Sequence, residues 1–229
     1  MEIAGCLADV IAGLAPGRPR LAVAFDGPDA AGKTTIADRV ARRLGQPVIR
    51  AGVDGFHQPR QVRYQRGAQS ADGYYRDSFD YPAITSQCLA PFRDGAPVIR
   101  TAGFDFRSDA ARDARQDVPA AAVLIFDGVF LLRPELAGRW DLAVYLRVAP
   151  ETTLRRALAR DRDLFGSNEE TRRRYLGRYL PGQALYRAEA APEEHAHIVI
   201  GNDDPRQPAI IKWQPPSPAA PPAPGPGEG

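Results

Sequence analysis

Lysine is almost missing from this 229-residue chain: of its 30 basic residues, only Lys33 and Lys212 are not arginine. Cysteine is scarcer than a disulfide framework requires, because Cys6 and Cys88 are the whole complement and neither falls in a C-x-x-C pair or a metal-ligand cluster. A reducing, cytoplasmic compartment and two buried thiols are therefore expected. No apolar run approaches the roughly 20 residues of a membrane span, and the first residues lack the basic start of a signal peptide. The formal net charge of +2 gives no footing to a protein held on nucleic acid by a large uncompensated basic surface, leaving only a local arginine cluster open. No internal repeat is visible, and no Asn-Lys-x-Asp segment is present to read a guanine.

The length suits one α/β domain with a substantial core, expected over residues 1–213. Ile3, Leu7, Val10, Ile11 and Leu14 share one helical face, so residues 1–19 read as a packed first helix and a linker. From Gln214 to Gly229 the chain is nearly all Pro, Ala and Gly and cannot bury enough surface to offset its ordering entropy, so 214–229 reads as a disordered tail.

The retained Lys33 sits in Gly27-Pro28-Asp29-Ala30-Ala31-Gly32-Lys33-Thr34, which fits the phosphate-binding pattern G-x-x-x-x-G-K-[ST]. An arginine-rich composition that keeps one lysine at this point implies a site needing a compact ammonium. The apolar run Leu21–Phe25 precedes the glycines as a buried parallel strand would, and Thr35 to Leu44 carries apolar residues at helical spacing up to Gly45. Strand, glycine loop and helix in that order aim backbone N–H groups and a helix dipole at a polyphosphate. ATP and Mg²⁺ are the implied cofactors, with Gly27, Asp29, Ala30, Ala31, Gly32, Lys33, Thr34 and Thr35 around the phosphates and the Thr34 hydroxyl at the metal.

Further along, residues 47–53 read as a second strand that ends in Asp54-Gly55-Phe56-His57, a carboxylate where open α/β sheets place their chemistry. Residues 58–81 are polar and aromatic and too long for a simple connector. Pro82 opens a helix that closes at Gly95, and residues 97–101 and 104–106 read as extended segments around Gly103, a hairpin flanking the substrate site. Ala122–Phe126 is the clearest buried strand and ends in Asp127-Gly128, the place for a second metal-facing carboxylate. A strand over 141–148, an arginine-rich helix from Pro150, a helical stretch over 169–190 broken or bent near Pro181-Gly182, and a strand over 197–200 complete the pattern.

The glycine loop, Val53-Asp54-Gly55-Phe56-His57, Ser78-Phe79-Asp80-Tyr81-Pro82, Phe126-Asp127-Gly128-Val129 and the arginine-rich helix resemble the uridine kinase and phosphoribulokinase group of P-loop kinases, which includes bacterial pantothenate kinase. The resemblance covers most of residues 20–205 and leaves out the tail. It implies a three-layer sandwich: a five-stranded parallel sheet, flanking helices, and an arginine-bearing lid near residues 156–170. It implies an ATP-dependent phosphotransferase acting on an alcohol, with a small-molecule partner, no nucleic acid or membrane, and the oligomerisation common in the group.

Carried residue by residue, the resemblance makes Asp54 the base that takes the acceptor proton and a further metal-facing group, with Thr34 and Asp127 at Mg²⁺. Arg156, Arg160 and Arg162 become lid residues that can reach the transferred group, Arg160 first among them with Arg156 and Arg162 at the nucleotide; the other reading is that one or two of them pair with Asp161, Asp163 or Glu151 on a solvated helix face. Asp80 matches a residue that receives ribose hydroxyls, and equally suits an N-cap ahead of Pro82. His57 stands where an aromatic residue lies near the base, to stack or to cap a turn, and Phe104 and Arg107 join it at the substrate. The chain departs from the pyrimidine-selecting members at Phe104-Asp105-Phe106-Arg107-Ser108-Asp109, which offers no histidine, and Asp54-Gly55-Phe56 is as close to pantothenate kinase. Uridine or cytidine is the leading acceptor; pantothenate or a sugar phosphate is the alternative, and a nucleotide-binding regulator without turnover is the reading from another class.

Overall fold

The computed structural model describes residues 2–217; the side chains of Arg162 and Asp163, and the expected tail beyond residue 217, lie outside the described residues. Eight strands form: β1 (Arg20–Asp26), β2 (Val48–Gly52), β3 (Val98–Asp105), β4 (Ala110–Asp117), β5 (Ala122–Asp127), β6 (Leu142–Arg147), β7 (Ile198–Gly201) and β8 (Ala209–Trp213). The main sheet runs β2-β5-β1-β6-β7-β8. Its first five strands are parallel, as expected, and β8 adds a sixth strand antiparallel to β7.

Alternation along the central strands divides the core. Leu21, Val23 and Phe25 of β1 and Val123 and Ile125 of β5 pack with the helices Ile3–Leu14 and Lys33–Ala41 on one face. Ala22 and Ala24 of β1 and Leu124 and Phe126 of β5 face the other way, toward Tyr74, Tyr75, Ile84, Leu89, Phe92 and Tyr186. Both faces are covered, as a parallel sheet requires, and the result is the three-layer α/β sandwich expected from the sequence. Cys88 is buried in this core whereas Cys6 is only half-buried, so one of the two thiols departs from expectation.

The helical stretch over residues 168–190 is continuous rather than broken at Pro181. About one turn earlier a π-helical segment, Tyr175–Tyr179, interrupts the α-helical ladder. Pro181 cannot donate to the carbonyl four residues back and its ring crowds that carbonyl, so the ladder widens ahead of it. The same device occurs at Ile84–Leu89, ahead of Pro91.

The hairpin expected around Gly103 does not form: both extended segments belong to the single strand β3, which pairs with β4 instead. β3 runs through Gly103, with register shifts on either side of Ala102, and the turn falls at residues 106–109, where Asp109 adopts a positive φ of 54°. β4 has almost no buried position, which left no apolar alternation to read.

Candidate active site

The carboxyl ends of β1, β2, β5 and β7 converge on the glycine loop. Lys33 opens the helix Lys33–Ala41, and its Nζ donates to the carbonyls of Gly27 (3.0 Å) and Pro28 (2.6 Å). The next residue, Thr34, donates its hydroxyl to Asp127 Oδ2 at 2.6 Å. Arg50 of β2 holds the other Asp127 oxygen at 2.8 Å and Asp38 at 3.0 Å. Pairing of Gly52 with Asp127 sets the ends of β2 and β5 side by side, which places Asp54 next to the loop.

Asp54-Gly55 and Asp127-Gly128 are packing devices rather than turns. Asp54 lies in the 3-10 helix Val53–Phe56. A Cβ on Gly55 would lie 2.7 Å from Ala102 Cβ, and one on Gly128 would lie 2.4 Å from Val53 Cγ1, so neither site admits a side chain without movement. Asp54 is exposed, and its carboxylate makes no hydrogen bond among the described residues. The Asp127–Thr34 pair offers a carboxylate and a hydroxyl, the oxygen donors that Mg²⁺ takes beside phosphates and water. That donor set fits the metal the sequence implies.

Burial pulls the Lys33 ammonium below its ordinary value, against the opposing pull of Asp29, Asp26, Asp127 and Asp54. Asp29, inside the loop, is pushed upward by burial; Lys33 and a hydrogen bond from Tyr74 act against that. Its Oδ2 accepts from Tyr74 Oη at 2.7 Å and Gln183 Nε2 at 2.6 Å, which ties the phosphate loop to the helices Ala71–Asp77 and Leu180–Ala190.

Sequence reasoning missed four supporting residues. Asp26, fully buried at the end of β1, accepts from Gly27 N at 2.6 Å, from Leu132 N at 3.2 Å and from the Tyr186 hydroxyl. Burial raises its carboxyl to about 6. Gln183 and Tyr186 sat unremarked in the long helix. Asn202 follows β7 and donates to Ala31 O at 2.7 Å, clasping the loop from the far side. A polar residue just past a strand's carboxyl end was the available signal for both Asp26 and Asn202.

One cavity lies against the loop and another lies beside His57. The larger, about 700 Å³, is lined by Ala30, Gly32, Thr35, Arg39, Arg156 and Asn202 among others. Arg156 is fixed in its wall by the carbonyls of Ala30 (3.2 Å), Asn202 (2.6 Å) and Asp203 (3.1 Å). The second, about 540 Å³, is lined by His57, Arg60, Arg63, Tyr64, Phe106, Arg107, Phe165, Arg174 and Tyr179. Arg107 thus reaches this cavity, and Phe106 takes the lining place that the sequence suggested for Phe104. His57 lies between Phe79 and Phe106, with ring centroids at 4.6 and 4.7 Å, and its Nδ1 is 3.1 Å from the Asp54 carbonyl. Burial lowers its basicity against the raising effect of Asp54. Asp80 serves as an N-cap, its Oδ1 accepting from Ala83 N at 2.9 Å.

Arg160, at the end of the helix Pro150–Arg160, makes a two-point contact with Asp161 at 2.6 and 3.0 Å. Asp161 also accepts from Tyr175 Oη at 2.7 Å, so the arginine is anchored to the π-helical bend.

No protein-family model matches the chain, and no curated protein does. Solved structures do match in fold. A protein described as a possible uridine kinase from Bacillus stearothermophilus aligns at TM-score 0.69 and 21% identity, over 86% of this chain and 96% of the other. The D-glycerate 3-kinase from Cryptococcus neoformans aligns at TM-score 0.59 and 14% identity, over 81% and 88%. Phosphoribulokinase from Rhodobacter spheroides aligns at TM-score 0.55 and 16% identity, over 86% and 77%. The chain therefore has the fold of the uridine kinase-like and phosphoribulokinase-like P-loop kinases.

Proposed function

We propose that this protein is an ATP-dependent kinase that transfers the γ-phosphoryl group to the hydroxyl of a small metabolite. A nucleoside such as uridine or cytidine is the acceptor the sequence favours, with pantothenate or a sugar phosphate as the alternative. The observation that carries the reading is the meeting of Lys33, the Thr34–Asp127 pair and the unpartnered Asp54 at adjoining strand ends. Two free cysteines and an ATP donor suit a cytoplasmic setting, and among the described residues no helix is long and apolar enough to cross a membrane.

In this reading Lys33 leaves the Gly27 and Pro28 carbonyls for the β- and γ-phosphates, and the backbone of residues 27–34 lines the polyphosphate. Arg156 and Asn202 frame the cavity that takes the nucleoside end of the donor. Mg²⁺, when bound at Thr34 and Asp127, would neutralise charge on the phosphate oxygens. Asp54 accepts the proton of the acceptor hydroxyl as that oxygen bonds to the γ-phosphorus and the bond to the β–γ bridging oxygen breaks, releasing ADP. Arg160 supplies positive charge from the lid side, and Arg162 stays assigned to the nucleotide on sequence grounds alone.

The test is Asp54→Asn, an isosteric change at an exposed position. Transfer should fall by about 10²–10⁴-fold while the affinity for ATP, measured by calorimetry, stays within a small factor. Equal turnover in the variant would remove Asp54 from the chemistry.

A further inference from the structure

We infer that the acceptor is a small anion: an alcohol that carries a phosphate or carboxylate away from the reacting hydroxyl, recognised by Arg60 and Arg107. The inference rests on the kinase reading and narrows its choice of acceptor.

The cavity beside His57 has four guanidinium groups in its wall and, among the described residues, no carboxylate lining it. Two of the four are compensated nearby: Arg63 pairs with Asp109 at 2.8 Å, and Arg174 with Glu170 at 2.6 Å. Arg60 and Arg107 have no acidic partner among the described residues. Both line the cavity from exposed positions. The Arg60 backbone N–H donates to Asp109 Oδ1 at 2.9 Å, and the Arg107 guanidinium lies 5.8 Å from the Phe106 ring centroid. Arg63 is almost fully buried in the same wall, and its Nε is without a hydrogen-bond partner among the described residues. A neutral acceptor would leave these charged donors unused, whereas a phosphate or carboxylate would gain charge-assisted hydrogen bonds from planar donors suited to it.

The stacking role suggested for His57 is taken up within the structure. Phe79 and Phe106 already pack against the His57 ring, tilted at 54° and 32° to it, so that ring cannot also serve as an open stacking face. The cavity nevertheless begins at His57, three residues from Asp54 along the chain, as an acceptor bound by its charged end would require.

The experiment uses the purified full-length protein with MgATP and acceptor pairs that differ in one anionic group: D-glycerate and glycerol, pantothenate and its alcohol, ribulose 5-phosphate and ribulose, with uridine and cytidine alongside. Binding is read by calorimetry and transfer by product mass. The expected result is a preference for the charged member of at least one pair of about ten- to a hundred-fold, in affinity and in kcat/KM. Arg60→Ala and Arg107→Ala, both at exposed positions, should each raise the KM for that charged acceptor about ten-fold and leave the KM for ATP unchanged.

Binding of a charged member without transfer would sink the kinase reading and leave the anion site standing. Transfer confined to uncharged acceptors would do the reverse. Absence of any preference for a charged member overturns the inference. So does an equal loss of kcat with charged and uncharged acceptors in the arginine variants, which would assign both residues to the transferred phosphoryl group.

Discussion

The half of this site around the phosphate loop and the half around the second cavity are built by different means. Around the phosphate loop several side chains reach backbone carbonyls, Lys33 on Gly27 and Pro28, Asn202 on Ala31, Arg156 on Ala30, Asn202 and Asp203, beside the Thr34–Asp127 and Arg50–Asp127 pairs. Around the second cavity the groups come from short helices, a polar hairpin and the lid, and side chains meet side chains: His57 with Phe79 and Phe106, Arg63 with Asp109, Arg174 with Glu170. The first half is a frame held largely by side chains on backbone carbonyls. The second is held by contacts between particular side chains, where the proposed function puts the choice of acceptor.

If that contrast holds, the largest effect comes from the frame's single ammonium. Lys33→Ala should lower kcat by about 10²–10³-fold or more and weaken nucleotide binding as well, measured with any acceptor. A loss confined to one acceptor would break the comparison.

Next is a pH effect rooted under the loop. Burial raises the Asp26 carboxyl to about 6 from 3.8, so the folded protein keeps a proton there that the unfolded chain releases. That contribution to stability is present below about pH 4 and is lost as pH rises to about 6, by roughly 3 kcal/mol. Urea unfolding at pH 4 and pH 7 should show this loss in the native protein, and Asp26→Asn should flatten that part of the slope. An unchanged slope would mean that Asp26 titrates as it does in the unfolded chain.

Gly128→Ala comes third. Its Cβ would overlap Val53, and separating β5 from the 3-10 helix that carries Asp54 should cost about 1–3 kcal/mol in denaturant unfolding, with transfer reduced for every acceptor. The smallest effect is at the seam between the halves. Tyr74→Phe removes one of the two bonds to Asp29 and leaves Gln183 in place, so a loss of about 1 kcal/mol is expected, with KM for ATP and for the acceptor rising together. A change in only one of the two would show that Asp29 belongs wholly to that half.

This division also explains what could be read in advance. β1, β5 and β6 are continuous apolar runs with every strand-interior residue buried, and the glycine loop, Asp54 and Asp127 follow from them at fixed places. β4 and β8 escaped because their residues are mostly exposed or half-buried, leaving no alternation to mark them. Asp26, Gln183 and Tyr186 went unremarked, and Tyr74 fell in a stretch read as a polar loop; only the tertiary fold turns them toward the phosphate loop. Asp80 carried two readings, and the structure shows the cap. The pairing of His57 with Phe79 and Phe106 brings together three segments, which no local spacing could announce.

The scarcity of lysine has a practical side. The chain offers an amine-reactive reagent only two lysine side chains, and Lys212 is occupied with the carbonyls of Glu193 and Glu194 at 3.4 and 2.8 Å. Lys33, its ammonium weakened by burial, is the more readily deprotonated nucleophile of an ordinarily unreactive kind. Covalent labelling at that one residue, and its suppression by a bound polyphosphate, would therefore serve as a built-in gauge of how many molecules in a sample have a filled phosphate cradle.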